Sequence, residues 1–244
     1  MDSGYYAACA GLRAQTQALE LVANNLANLN TAGFRAQHAT FRTVLAGAEG
    51  SFNPLNRAVN DFGVLSGTRL DANAGNLERT ANPLDFAIEG PGFFEVQTAS
   101  GSLYTRNGGF QISRQGELIT PQGDRVLGMQ GPLRMPQGKV TLGSDGTISV
   151  NGAVAGRLRV VEFDSQSQLE PAGNSYYAAP KGAAASPATG SYVRQGMIES
   201  SNVNAVAAAT GLIAVQRHAE MLQRALSLFH SEFNRIAAGE LPRV

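Results

Sequence analysis

Residues 23–34 read ANNLANLNTAGF, a stretch with four asparagines and no charged side chain. Asparagine favours caps and turns over helix interiors, yet this stretch continues an apolar repeat that starts at Tyr5. Apolar positions recur at steps of seven, and a second series follows three residues later with one polar interruption. This spacing predicts an amphipathic helix with a coiled-coil seam, and Gly33 marks its expected end. The two series are Tyr5, Leu12, Leu19 and Leu26, and Ala8, Gln15, Val22 and Leu29.

The C-terminal region carries the same pattern over a greater length. It predicts a helix from about residue 202 to about residue 237, on the order of 50 Å long at roughly 1.5 Å per residue. A helix of this length cannot bury its apolar stripe against itself, so we predict that the two terminal helices pair as a coiled coil. The predicted helix-pairing seam consists of Leu12, Leu19, Val22, Leu26 and Leu29, with Leu212, Val215, Leu222, Leu226, Phe229 and Phe233.

Between the helical regions the pattern changes to short apolar runs separated by glycine turns. Segments such as FFEVQT (93–98), TISV (147–150) and RLRVVEF (157–163) alternate with turns such as RQGE (114–117) and SDGT (144–147). Turn signals at this spacing are typical of an antiparallel sheet or barrel. The predicted fold class is therefore α+β, with two terminal helices and a β-rich, antiparallel middle domain.

The composition excludes several classes of function. The 19 basic and 19 acidic residues balance, so no nucleic-acid partner is expected. No apolar run reaches the roughly 20 residues that span a bilayer, so no direct membrane insertion is expected. The start of the chain carries Asp2 and is interrupted by Arg13, which does not match a cleavable secretory signal. A single cysteine, Cys9, allows neither an intramolecular disulfide nor a cysteine zinc site.

The known catalytic and cofactor-binding motifs do not occur in this sequence. His38, His218 and His230 lie far apart, and there is no HExxH motif, nucleophile elbow or phosphate-binding glycine loop. We therefore expect no metal, no cofactor and no enzymatic activity.

The asparagines of the first helix lie on the face opposite the seam. At about 100° per residue, Asn24 and Asn28 fall there, and from Ser3 to Asn30 only Arg13 and Glu20 are charged. Neutral amides can donate and accept hydrogen bonds across an interface without the desolvation cost of an ion. This face is therefore predicted to contact another protein. The alternative is a solvated helix whose last turn uses asparagine as a cap.

Five segments of the chain resemble a known family. Taken in order, they are similar to the bacterial flagellar axial proteins of the rod and hook, whose termini carry an ANNLAN…T.GF motif and an SNV…LI..QR motif. Within that family, a short chain without a large outer insertion is most similar to the proximal rod protein. The five segments are NNLANLNTAGF (24–34), PLDFAIEGPGFFEVQT (83–98), YTRNGGFQIS (104–113), GELITPQGDRVLG (116–128) and SNVNAVAAATGLIAVQR (201–217).

The resemblance implies a structural subunit of the flagellar basal-body rod that polymerises into a helical shaft and transmits torque. Its implied partners are further copies of itself, other rod and hook axial proteins, and the flagellar type III export apparatus. That apparatus uses no cleavable signal peptide, and the implied location is the periplasmic rod of the basal body.

The resemblance also implies a division of the chain and a set of contact residues. The implied domains are a helical inner-tube domain of residues 1–30 and 202–244, extended connecting segments of residues 31–82 and 186–201, and a β-rich outer domain of residues 83–185. The implied intersubunit contacts are Asn24, Asn25, Asn28, Gly33, Asn202, Gln216 and Arg217.

Two alternatives stay open at this point. Within the family, the chain is a distal rod protein or a short hook-like axial protein. In another class, it is a secreted β-domain enzyme or carbohydrate binder with a helical oligomerisation stalk. A cleft of convergent polar side chains in the β domain would favour the second alternative.

Overall fold

The computed structural model describes residues 2–42, 64–164, 168–180 and 182–240. Its backbone contacts divide the chain into two compact units. The helical unit comprises Met1–Leu26, Gln37–Thr68 and Asn204–Val244, and the β unit comprises Ala27–Ala36 and Arg69–Val203.

Two long helices lie in the helical unit, as the sequence predicts. Helix α1 spans Asp2–Ala27 and helix α2 spans Ala205–Glu240. Asn204 caps the start of α2, because its side-chain Oδ1 accepts from the Ala207 backbone N at 2.9 Å. The cap explains why α2 begins three residues later than the apolar repeat alone suggests.

Short strands make up the rest of the described chain. Glycine turns join several of them, and Gly116 and Gly146 adopt positive φ angles of 75° and 84° in two of the predicted turns. The strands are β1 Gln37–Arg42, β2 Val64–Leu70, β3 Leu77–Arg79, β4 Phe86–Glu89, β5 Phe93–Thr98, β6 Gly101–Thr105, β7 Gln111–Ile112, β8 Leu118–Ile119, β9 Arg125–Gly128, β10 Gly131–Pro132, β11 Val140–Leu142, β12 Thr147–Val150, β13 Ala153–Arg157, β14 Val160–Glu162, β15 Glu170–Gly173, β16 Tyr176–Ala178, β17 Ser186–Pro187, β18 Tyr192–Gln195 and β19 Met197–Glu199.

The largest sheet of the β unit has the order β15-β16-β6-β5-β9-β8-β7, with β10 on β9, β14 on β5 and β17 on β14. Smaller sheets are β11-β12-β13, β18-β4 and β19-β3. The pairings of these sheets are antiparallel, which confirms the β-rich antiparallel middle of the chain. In β19-β3, Glu199 lies opposite Leu77, and this pairing brings the C-terminal motif to the β unit.

Strand β5 supplies both hydrophobic cores of the β unit, because successive side chains of a strand point to opposite faces. Phe94 and Val96 belong to one core cluster, together with Phe110 and Ile148. Phe93 belongs to the other cluster. Burying each of these side chains contributes roughly 1.5–3 kcal/mol. The double phenylalanine therefore ties the two clusters to one strand.

Candidate functional site: the junction of the two terminal motifs

The two terminal motifs meet through their backbones inside the β unit. Gly33 N donates to Glu199 O at 2.7 Å, and Asn202 N donates to Phe34 O at 3.3 Å. The Asn202 side chain adds a third bond, because its Oδ1 accepts from Ala36 N at 2.7 Å. We call this region the junction. It consists of residues 33–36 and 199–202 with Arg106 and Tyr177.

A third segment, residues 71–73, closes the junction from another side. Asp71 N donates to Ala36 O at 2.8 Å, and Asn202 Nδ2 donates to Asn73 O at 2.8 Å. Asn202 thus bonds two different segments with one amide group. This use needs both the donor and the acceptor of the side chain.

One carboxylate at the centre of the junction serves two guanidinium groups. Glu199 Oε1 lies 3.1 Å from Arg35 Nη2, and Glu199 Oε2 lies 3.2 Å from Arg106 Nη1. The side chains of Glu199, Arg35 and Arg106 are only 1%, 1% and 2% exposed. Gly75 N also donates to Glu199 Oε1 at 3.0 Å. The contact with Arg35 Nη2 is an ion pair without hydrogen-bond alignment, whereas the contact with Arg106 Nη1 is both.

Carbonyl oxygens accept several of the remaining guanidinium donors. Arg35 Nη1 donates to two carbonyl oxygens of the 71–73 segment. Arg106 donates from Nη1 to Ile88 O at 3.1 Å and from Nη2 to Gly90 O at 2.6 Å. Two cations against one anion leave an excess positive charge in the interior, and these carbonyl dipoles partly offset its desolvation.

Burial governs the ionisation of Arg106. It lowers the pKa of this guanidinium to about 10, while the neighbouring Glu199 carboxylate acts in the opposite direction. The Arg106 guanidinium carbon also lies 5.1 Å from the centroid of the Phe93 ring, within the range of a cation–π interaction. Arg106 therefore joins the junction to the hydrophobic core of the β unit.

Tyr177 fixes the backbone of the N-terminal motif at two points. Its hydroxyl accepts from Arg35 N at 2.9 Å and donates to Gly33 O at 3.3 Å. Tyr177 is 2% exposed, and burial raises the pKa of its hydroxyl to about 12.

The raised pKa of Tyr177 predicts a loss of stability in alkali. Below pH 10.0, the ordinary tyrosine value, both the folded and the unfolded chain keep the proton. As the pH rises from about 10 to about 12, the unfolded chain ionises first, so the stability that the neutral hydroxyl contributes is lost in this window. We expect a titration of tyrosinate absorbance to show this late step, and Tyr177→Phe to remove one tyrosine from its amplitude. An unchanged amplitude in the variant would contradict the assignment.

In the helical unit, the Asn25 side chain makes two hydrogen bonds to the backbone of one residue. Its Nδ2 donates to Gln37 O at 2.8 Å, and its Oδ1 accepts from Gln37 N at 2.9 Å. The side chain is 8% exposed. The Asn25 amide therefore bonds both backbone groups of Gln37, the first residue of β1, as a neighbouring strand would.

The structure places the predicted seam residues at half-buried positions. Among the residues of α1 whose burial is described, the buried positions lie on a different stripe, which consists of Gly11, Ala14, Ala18 and Asn25. In α2, the half-buried stripe coincides with the predicted register, although the side chains of Phe229 and Phe233 lie outside the described residues. The half-buried seam residues are Leu12, Leu19, Val22, Leu26 and Leu29 of α1 and its continuation, and Leu212, Val215, Leu222 and Leu226 of α2.

The predicted contact residues divide into two groups. Asn25, Gly33 and Asn202 make the hydrogen bonds described above within the chain. The others lie nearer the surface: Asn24, Gln216 and Arg217 are exposed, and Asn28 is half-buried and accepts from Thr31 Oγ1 at 3.1 Å.

The four residues whose side chains build the centre of the junction were not among the predicted site residues: Arg35, Arg106, Tyr177 and Glu199. A signal for two of them exists in the sequence. Arg35 directly follows the TAGF of the N-terminal motif, and Glu199 precedes the SNV motif by two residues. Opposite charges thus flank the two motifs.

Helix α2 carries a second apolar stripe opposite its half-buried one. At about 100° per residue, Val206, Ile213, Met221 and Leu228 fall on this opposite side. Their exposed fractions are 74%, 51%, 56% and 66%. We call these four residues the α2 stripe.

A cleft of about 410 Å³ lies in the β unit beside β18. Its charged lining residues bond to each other, with Glu89 Oε2 at 2.6 Å from Arg194 Nε. Its lining amide, Gln195, bonds to backbone groups of Leu142 and Val140. The described residues contain no cluster of three His, Cys, Asp or Glu suited to a metal ion. No helix in the same part of the chain is long and apolar enough to cross a membrane.

Three family profiles match the chain in the order of its motifs. The profile described as flagella basal body rod protein matches residues 6–35. The D1 domain of the flagellar hook protein FlgE/F/G matches residues 87–150. The C-terminal profile of the flagellar basal body rod FlgEFG protein matches residues 194–230, which include Glu199 and Asn202.

Individual relatives match over nearly the whole chain. The flagellar basal-body rod protein FlgG of Agrobacterium fabrum is 32% identical over 90% of this chain and 92% of its own length. FlgF of Caulobacter vibrioides is 32% identical over 97% of this chain and 98% of its own length. FlgF of Escherichia coli is 36% identical over 93% and 94%.

A helix at each end of the chain, an antiparallel β unit between them in sequence and the three matching profiles identify an axial protein of the bacterial flagellum. Within that class, the chain belongs to the family of flagellar basal-body rod proteins.

Proposed function

We propose that this chain, a structural subunit of the flagellar basal-body rod, polymerises through its two terminal helices into a stiff shaft that transmits torque. The observation that carries the proposal is the α2 stripe. Four large apolar side chains on one exposed helix face are a sign of a protein partner. The half-buried face opposite them serves the subunit itself.

A helix with two opposite apolar faces suits a packed assembly better than a surface position on a monomer. One face pairs with another helix of the same chain, and the other is left for a neighbouring subunit. Contacts between two different surfaces of identical subunits build a helical polymer when the rotation from one subunit to the next does not close a ring. The α2 stripe therefore supports a helical polymer with neighbours drawn from this chain and from other rod and hook proteins.

The proposal includes antiparallel pairing of α1 and α2 along the predicted seam. The chain enters the junction six residues after the end of α1 at Ala27 and leaves it three residues before α2 begins at Ala205. Two hydrogen bonds hold these connections together, one from Ala36 N to Asn202 Oδ1 and one from Asn202 N to Phe34 O. In the assembled rod, we propose that the helices form the inner tube and that the β unit forms an outer layer, as the family resemblance implies.

Two further parts of the function rest on the family resemblance. The chain is exported without a cleavable signal by the flagellar type III apparatus, and its position is the proximal rod. Relatives named FlgF and FlgG match at similar identity, so the position along the rod stays a prediction.

The alternative of an enzyme or carbohydrate binder finds less support. The cleft of the β unit has polar lining groups, but Glu89, Arg194 and Gln195 already bond within the protein. Such groups are not arranged to converge on a substrate. We therefore propose a non-enzymatic role.

A single charge in the α2 stripe tests the proposal. Ile213→Asp is expected to leave the melting temperature of the β unit unchanged but to abolish rod assembly and swimming. Burying an unpaired carboxylate costs several kcal/mol, and the cost recurs at every subunit. The control is Gln223→Asp, which adds the same group at an exposed position off the stripe. Normal rods and swimming with Ile213→Asp would refute the proposal.

A further inference from the structure

The hairpin of β12 and β13 turns on two residues, Asn151 and Gly152. Their φ angles are 51° and 87°, and a type I′ turn, for which Asn-Gly is a preferred sequence, needs positive values at both positions. Both residues are exposed, and among the described residues no atom lies within 4 Å of a Cβ added at Gly152. Brief opening of this hairpin tip therefore disrupts little packing.

The Asn151 amide links the hairpin tip to the segment that precedes β11. Its Oδ1 accepts from Lys139 N at 2.9 Å, and its Nδ2 donates to Gln137 O at 3.4 Å. The Asn151 backbone N also donates to Lys139 O at 3.0 Å. These three bonds join exposed residues, and bonds of this kind open more readily than those of a core strand.

The chain contains one other Asn-Gly pair, Asn107 and Gly108, and the structure holds it firmly. Asn107 N donates to Thr105 Oγ1 at 3.0 Å, and Phe86 N donates to Gly108 O at 3.0 Å. A Cβ added at the buried Gly108 would lie 1.6 Å from Phe86 O, so two backbone segments are in direct contact there. Opening this pair requires that β4 leave the core of the β unit.

We propose that Asn151 is a site of spontaneous deamidation in the folded protein and that Asn107 is protected from the same reaction. Asparagine is a thermolabile residue, and a following glycine has no side chain to hinder attack on the asparagine amide. The inference does not depend on the proposed function, because it concerns two turns of the β unit alone.

The reaction consumes one water molecule and releases one ammonia molecule. When the turn opens, Gly152 N gives its proton to hydroxide and attacks Asn151 Cγ. The new N–C bond closes a five-membered succinimide ring, and the Asn151 Nδ2 group leaves as ammonia. Water then adds to one of the two ring carbonyl carbons and breaks its bond to nitrogen, which gives aspartate or isoaspartate. No oxidant, metal or enzyme takes part.

The modification changes both the charge and the link to the segment before β11. Each product adds one negative charge to a chain whose formal net charge is zero. A carboxylate cannot donate to Gln137 O, so that bond is lost. Isoaspartate also lengthens the main chain by one carbon atom, which the type I′ turn does not accommodate. We expect faster amide exchange at Lys139 in the isoaspartate form.

Incubation of the full chain in mildly alkaline buffer tests the proposal, with peptide mass spectrometry to follow both Asn-Gly pairs. In the folded protein, Asn151 is expected to convert at least about tenfold faster than Asn107, because only its turn opens without disturbing the core. In denaturant, where both pairs are unfolded, their rates are expected to agree within about twofold. An Asn151 that stays unmodified, or converts no faster than Asn107 in the folded chain, would overturn the proposal.

Gly152→Ala tests the succinimide route. The added methyl group lies beside the attacking nitrogen and meets no atom within 4 Å among the described residues. The rate at Asn151 is expected to fall severalfold in denaturant, where backbone strain in the folded turn plays no part, while the rate at Asn107 stays unchanged. An unchanged rate at Asn151 under these conditions would show that Gly152 N is not the attacking group.

Discussion

Replacing Glu199 by glutamine is expected to lower the free energy of unfolding of the β unit by about 3–5 kcal/mol. The amide keeps the size of the side chain but removes the negative charge between Arg35 and Arg106. Both guanidinium groups are almost fully buried, at 1% and 2% exposed. They would then repel each other in a medium that screens charge far less than water. The chain has no tryptophan, so tyrosine fluorescence or circular dichroism in a denaturant titration gives the measurement.

A matched control distinguishes the loss of a buried ion pair from the loss of an exposed one. Glu89→Gln removes the partner of Arg194, in a pair whose side chains are 50% and 55% exposed. Exposed pairs are worth about 1 kcal/mol or less, because water and salt screen them. Equal losses in Glu199→Gln and Glu89→Gln would show that the junction is hydrated in solution and that its carboxylate is not essential.

The helices and the β unit were predictable because their signals are local. A period of seven in the apolar residues predicts a long helix wherever it occurs, and both helices were found. Turns such as SDGT (144–147) are recognisable because they contain a glycine, which adopts a positive φ angle easily. Gly146 has this conformation in the structure. Helices and turns depend on residues that are close together in the sequence, so the sequence alone is enough to predict them.

The junction was not predictable, because it forms only when distant segments meet. Nothing in the spacing of residues shows that Arg35 and Glu199 lie 3.1 Å apart between Nη2 and Oε1. The asparagines show the same limit. An amide suits a backbone group of its own chain as well as a neighbouring subunit. Asn25 and Asn202 make such bonds inside the chain, which a helical wheel does not reveal.

The buried stripe of α1 was also hidden from sequence reasoning. Large apolar side chains carry the seven-residue period of α1, so the period marks the leucine seam. Gly11, Ala14 and Ala18 are buried, whereas the leucines of the seam beside them are half-buried. In α1, the small residues therefore mark the buried face, and the large apolar residues mark a different, half-buried face.

Gly33→Ala is the second change with a large expected effect, since Gly33 is held in a close contact that a methyl group cannot enter. A Cβ at this position would lie 2.2 Å from Asn107 N and 2.4 Å from the carbonyl carbon of Arg106. Both atoms belong to the backbone, so no side-chain rotation relieves the clash. The φ angle of +67° adds strain of its own. We expect a loss of about 2–5 kcal/mol, of which the left-handed conformation accounts for about 1–2 kcal/mol and overpacking for the rest.

Gly123→Ala provides the control for this variant. Gly123 has a φ of +93° but nothing within 4 Å of the added Cβ, so only the backbone strain applies there. Tyr177 supplies a second measurement, because its hydroxyl bonds to Gly33 O and Arg35 N. If the clash forces the N-terminal motif out of the junction, the Tyr177 hydroxyl gains water and its pKa falls from about 12 toward 10.0. A Gly33→Ala protein as stable as Gly123→Ala, with the Tyr177 titration unchanged, would mean that the motif does not seat against Arg106 and Asn107 in solution. The conclusion that the two terminal motifs are hydrogen-bonded to each other at one junction would then be wrong as well.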